Sequence, residues 1–167
     1  RFGNIMLVNG EDNYKLQIKQ GERVRFYITN AANTRVFNFS IPNTRIKLVG
    51  ADNGKYEQEE WADSVVLGPS ERSIVEVWFD KSGDFQIIHK TPEKTYTLGT
   101  IVVGANPVTT SYLLVPRTNQ DVINSTNPLR PLFTKPADKK LNLTIDMIGM
   151  STQASGAGGM NHMMPNG

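Results

Sequence analysis

Apolar and polar residues alternate with a period of two along most of the first hundred positions. In "YKLQIK" Leu16 and Ile18 alternate with glutamine and lysine, and in "RVRFYIT" Val24, Phe26 and Ile28 alternate with Arg23, Arg25 and Tyr27. That rhythm places one apolar row on one face of a strand. It recurs in "RVFNFSI", through Phe37, Phe39 and Ile41, and in "SIVEVWF", through Val75, Val77 and Phe79. Between these runs lie Asn9-Gly10, Gln20-Gly21-Glu22, Asp52-Asn53-Gly54, Gly68-Pro69-Ser70 and Lys81-Ser82-Gly83. Such residues tolerate tight or left-handed backbone and mark turns. No stretch before residue 105 carries a helical apolar stripe. Short strands with closely spaced turns predict an antiparallel two-sheet β-sandwich.

The pattern changes after Val103. The segment "GANPVTTSYLLVPRTNQDVINSTNPLRPLFTKPADKK" holds five prolines among many Asn, Thr and Ser residues, the composition of an extended connector lying over a surface. Alternation returns in "KLNLTIDMIGM", where Leu141, Leu143, Ile145 and Met147 predict one further strand that needs partners. The closing "STQASGAGGMNHMMPNG" is too rich in Gly, Ser and Ala to bury a core and is expected to be mobile. The predicted organisation is a sandwich over residues 1–105, a linker over 106–137, and the start of another domain with a Met/Gly-rich tail over 138–167.

Composition excludes several functions. The 167 residues are 38% hydrophobic, enough for one core, and 18 basic against 16 acidic residues leave a formal charge of only +2. Those charges are spread along the chain, so no basic face speaks for nucleic acid. No apolar run approaches the ~20 residues of a membrane-spanning helix. With Arg1 in first place and no signal-peptide pattern, the chain reads as part of something longer. It contains no cysteine, which excludes disulfides, thiolate metal sites and cysteine nucleophiles.

The stretches "IMLVNGEDNYKLQIKQGERVRFYITNAANTRVFNFSI" and "LVGADNGKYEQEEWADSVVLGPSERSIVEVWFD" resemble the second, middle cupredoxin domain of three-domain multicopper oxidases, the laccase and cuprous-oxidase family. Asn9-Gly10, the Gly21 to Arg25 run, Asn30-Ala31-Ala32-Asn33, Asp52-Asn53-Gly54 and the Pro69 to Arg72 turn carry the likeness by their order and spacing. The resemblance implies a cupredoxin-like Greek-key sandwich, first and third cupredoxin domains as partners, copper in the parent enzyme, and a periplasmic or extracellular location. It also implies a parent reaction that couples one-electron oxidation of phenols, amines or metal ions to reduction of dioxygen to water.

Copper-binding members of that family carry a His-Cys-His cluster on the strand after the Gly-aromatic pair, and a further His and Met before the last Gly-Thr strand. Here those places hold Ile88, His89, Lys90 and Leu98. A type 1 site needs a thiolate and two imidazoles, so the segment is expected to hold no copper, with His89 a packed or rim histidine. The run "EQEEWAD" is expected to be a solvated loop. Trp61 and Trp78 are candidates for stacking on a substrate, with Trp78 equally explained by burial against a neighbouring domain. No serine sits in a nucleophile elbow.

One metal-binding candidate remains. Met160, His162, Met163 and Met164 offer three thioethers and an imidazole, a donor set suited to Cu(I). The expected function is that of a copper-free structural middle domain, inactive alone and open to homo-oligomerisation through its unpaired last strand. The alternatives are a freestanding sandwich used for binding or adhesion, and a copper-sequestering fragment acting through the methionines.

Overall fold

A computed structural model describes Gly3 and residues 5–110 and 115–144. Nine strands form: β1 (Tyr14–Lys19), β2 (Arg23–Thr29), β3 (Phe37–Ser40), β4 (Ile46–Ala51), β5 (Gly54–Ala62), β6 (Val65–Leu67), β7 (Arg72–Trp78), β8 (Gly83–Lys90) and β9 (Thr95–Gly104). They make a five-stranded sheet ordered β1-β9-β8-β3-β6 and a four-stranded sheet ordered β2-β7-β4-β5. The chain passes from one sheet to the other at β1-β2, β2-β3, β3-β4, β5-β6, β6-β7 and β7-β8, the weaving expected of the cupredoxin-like sandwich. One pairing departs from the antiparallel expectation: β1 runs parallel to β9, with Tyr14 opposite Gly99 and Lys19 opposite Gly104. A Cβ on Gly99 would lie 2.5 Å from the Tyr14 carbonyl oxygen, so this pairing needs a residue without a side chain there.

The apolar rows face one another as the alternation predicts. Phe39, Ile41, Val75, Val77 and Phe79 are buried, together with Ile46, Leu67, Ile87, Leu98, Ile101 and Val103, while Leu16, Ile18, Val24, Phe26 and Ile28 pack against them half-buried. Burying rows of this kind from two sheets is the main stabilising term of a sandwich. Turn chemistry holds as well. Asn9 and Gly10 both adopt positive φ, at 53° and 87°, and Val8 and Glu11 exchange backbone hydrogen bonds of 2.9 and 3.0 Å across them.

The outer face of the four-stranded sheet differs from expectation. "EQEEWAD" is not a solvated loop: all but its last residue lie in β5, and Glu59 is buried at 1% exposure. Lys47 on β4 is equally buried, with its Nζ 3.1 Å from Glu59 and 3.0 Å from Glu76 on β7. Arg25 on β2 pairs with the other oxygen of Glu76, so Arg25, Glu76 and Lys47 form a cross-strand row of alternating charge. Burial pushes the Glu59 carboxyl up, but the hydrogen bonds of Arg117 and the charge of Lys47 outweigh it and bring it down to about 2. Glu76 is likewise held below its ordinary value, burial being outweighed by Arg25 and Lys47.

Beyond Val103 the connector does more than link. It includes a short helix α1 (Gln120–Thr126) and a 3-10 helix over Asn127–Phe133, which proline and asparagine content had masked. The β1–β2 turn receives its first part: the Val108 N–H donates to the Gln20 carbonyl (2.8 Å), and Thr110 bonds the Gly21 carbonyl. Gly21, at φ 86°, leaves this room, because a Cβ would stand 2.4 Å from the Val108 oxygen. Farther on, the chain lies along the edge strand β5, through Glu59 N–H to Arg117 O (2.9 Å) and Asn119 N–H to Glu57 O (2.8 Å). A paired edge no longer offers free backbone groups to other chains. Of the strand predicted over 141–147, Leu141 and Leu143 are exposed and belong to no strand, while Ile145 and Met147 lie outside the described residues.

Candidate functional site

The place where the resemblance implies a metal site is the C-terminal end of β8 and the facing part of β9. Residues 87–89 end an apolar strand, and a register shift between Ile87 and Ile88 brings three consecutive residues to buried positions. His89 is paired across the sheet with Phe39 on one side and Tyr96 on the other. Its ring stacks on Tyr96 at 5.7 Å between centroids and meets Phe37 at 4.9 Å with tilted planes. Ile88 and Leu98 are buried and Lys90 is exposed.

His89 is thus a packed histidine. The Asn38 N–H donates to Nδ1 at 3.0 Å, so that lone pair is engaged and the proton resides on Nε2. Nε2 is buried without a hydrogen-bond partner among the described residues. Burial, helped by the positive charge of Arg35, pushes the imidazole below its ordinary value of 6.5. The donor set does not fit a type 1 copper: a thiolate and a second imidazole are lacking, Nδ1 is engaged by Asn38 and Nε2 carries the proton, and Ile88, Lys90 and Leu98 stand alongside. Among the described residues no three His, Cys, Asp or Glu side chains come together as a metal site. Met160, His162, Met163 and Met164 lie outside the described residues.

Protonation of His89 has a predictable effect on stability. Because the folded value is depressed, the contribution of neutral His89 is full above about pH 6.5 and declines as pH falls toward the lower folded value, where the unfolded chain binds more protons. Unfolding midpoints in urea should therefore drop between pH 7 and 5, and His89→Phe should flatten that part of the profile. An unchanged slope in the variant would assign the effect to other groups.

The two tryptophans line one open groove at the far end of the sandwich, with Pro42, Arg45, Asp80 and Phe85. The Arg45 guanidinium lies 4.5 Å over the Trp61 ring, so that face is already occupied. Trp78 donates its indole N–H to the Gly21 carbonyl at 3.2 Å. Both rings are half-buried and held by their own neighbours, a geometry suited to a contact surface.

Sequence reasoning missed the buried charges. Lys47 stands inside the apolar run "RIKLVGA", a position whose charge demanded a buried partner, and that signal was available. Glu59 gave none, because in "KYEQEEWA" polar residues occupy both faces.

Comparison with known proteins agrees with this architecture. A family model described as multicopper oxidase matches residues 3–115. Multicopper oxidase LPR2 of Arabidopsis thaliana is 28% identical over 168 residues, which cover 99% of this chain and 28% of that protein. A multicopper oxidase of Campylobacter jejuni, a metallo-oxidase, is 26% identical with a TM-score of 0.55, over 71% of this chain and 28% of that one. The McoA multicopper oxidase of the hyperthermophile Aquifex aeolicus shares the fold at a TM-score of 0.63 and 17% identity, over 71% of this chain and 28% of that one. The chain therefore spans little more than a quarter of the length of its curated relative. Among the described residues no helix is long and apolar enough to cross a membrane.

Proposed function

The chain belongs to the multicopper oxidase family, and from that premise we propose that it is a copper-free middle cupredoxin domain, a spacer that holds a first and a third cupredoxin domain in position. The observation that supports this reading is His89: at the position where the resemblance implies copper ligands, its Nδ1 accepts the Asn38 N–H and its neighbours are Ile88, Lys90 and Leu98. A strand frame kept without its ligands serves architecture. Metal centres shared between domains require their ligands to be held within fractions of an ångström by surrounding structure, and a rigid sandwich supplies that. The groove with Trp61 and Trp78 fits a contact with one flanking domain. The parent enzyme would couple one-electron oxidation of a phenol, an amine or a metal ion to reduction of dioxygen to water, in the periplasm or outside the cell.

Copper titration tests this reading. The chain incubated with Cu(II) should stay colourless and show no oxidase turnover, because no thiolate is available for the intense charge-transfer band. Any Cu(I) uptake should disappear on truncation after Gly159, which removes Met160, His162, Met163 and Met164. A blue band, or turnover by this chain alone, would overturn the assignment.

A further inference from the structure

We propose that residues 117–133 form a releasable strap latched to the sandwich by Arg117 on Glu59, with Lys47 keeping the buried charges balanced when the latch opens. Arg117 grips one carboxylate through its side chain and backbone together. Nε and the terminal Nη2 donate to Oε1 at 2.8 and 2.6 Å, and the Arg117 N–H donates to Oε2 at 3.0 Å. Both guanidinium donors converge on one oxygen, and charge-assisted hydrogen bonds of this kind are the stronger ones of proteins.

Two features make the latch able to open without unfolding the sheet. The first is charge balance. The latched set is Arg25, Glu76, Lys47, Glu59 and Arg117, three cations and two anions, whereas without Arg117 it is two and two. Lys47 touches both carboxylates, so neither is left buried and unpaired. The second is access. The Arg117 side chain is 41% exposed although Glu59 is fully covered, so the cation can leave to water while its partner stays.

Beyond Arg117 the strap keeps its pairing with β5 through Asn119, whose N–H donates to the Glu57 carbonyl at 2.8 Å and whose side-chain amide donates to the Tyr56 carbonyl at 2.6 Å, with Thr118 bonded to Gln58 and Thr126 to Glu57, whereas its ion pairs are exposed. The Lys55–Asp121 pair, at 3.3 Å, is exposed on both sides, and Arg130 pairs with Glu57 at the surface. Such pairs contribute little. Neither α1 nor the 3-10 helix buries a residue. The first part of the connector is held separately, by Val108 on Gln20 and Thr110 on Gly21. The strap therefore pivots from that anchor, and the latch decides where the chain after Phe133 leaves the domain. This holds whether or not the flanking domains are those of an oxidase.

Hydrogen exchange on the full chain, read peptide by peptide, tests the latch. Arg117→Ala should accelerate exchange over 115–133 by on the order of tenfold, while β7, β8 and β9 exchange as in the parent chain. Arg117→Lys, which keeps the charge but loses the fork, should fall between the two. Glu59→Gln should loosen the same residues, and if it also destabilises the sheet, Arg117→Ala still decides. Unchanged protection over 115–133 in Arg117→Ala would overturn the proposal, because backbone pairing with β5 alone would then hold the strap. Faster exchange spread through the whole sandwich would overturn it too, since Arg117 would then be a residue of the fold rather than its latch.

Discussion

Lys47→Ala is expected to lower the stability of the domain by about 3–5 kcal/mol, the cost of removing the fully buried partner shared by two buried carboxylates. Its Nζ lies within 3.1 Å of both Glu59 and Glu76, and all three side chains are closed to solvent. Without it, two carboxylates share a dry sheet face and are each left with one arginine at the rim. Arg25→Ala should cost clearly less, because the Arg25 side chain is 39% exposed and water can replace part of what it gives Glu76. Urea unfolding followed by the fluorescence of Trp61 and Trp78 measures both. A Lys47→Ala loss below about 1 kcal/mol, within the range of an exposed pair, would mean that the carboxylates do not rely on the lysine.

A comparable loss, about 3–5 kcal/mol, is expected from Phe79→Ala. Phe79 is wholly buried where β7 gives way to the turn before β8, and its ring meets Phe85 edge-on at 5.3 Å. Its backbone also ties the β1–β2 turn to the core, accepting from Gly21 N–H at 2.7 Å and donating to Glu22 O at 3.0 Å. Truncation removes the apolar contacts and the aromatic pair and leaves a cavity that close-packed strands fill poorly. Phe79→Leu, which keeps most of the volume, should retain most of the stability. Equal losses for the two variants would point to the ring's edge-on contact rather than to the cavity.

Fold and site were legible to different degrees, and the reasons are visible in particular residues. Val24, Phe26 and Ile28, or Val75, Val77 and Phe79, name their face because a strand has only two sides and their alternates are polar or bulky rim residues. That Ile88, Lys90 and Leu98 surround His89 was equally plain, since residue type is read directly from the sequence. That the imidazole would instead accept the Asn38 N–H and stack on Tyr96 was not, because both partners come from other strands.

The two-sheet sandwich, its principal core rows, the Asn9-Gly10 turn, the absence of any thiolate and the likeness to multicopper oxidases can all be read from the amino-acid order, because each depends on residue type and spacing along one strand or turn. The parallel pairing of β1 with β9, the buried network of Lys47, Glu59 and Glu76, and the return of the chain after Val103 along β5 emerge from the folded arrangement alone. A charged residue reads as a wet one until something covers it. Here the partners of that charge lie on strands far apart in sequence, and Arg117, which completes the network, comes from the part of the chain least like a folded element. Such contacts depend on which segments the closed sandwich brings together, and local pattern holds no record of that.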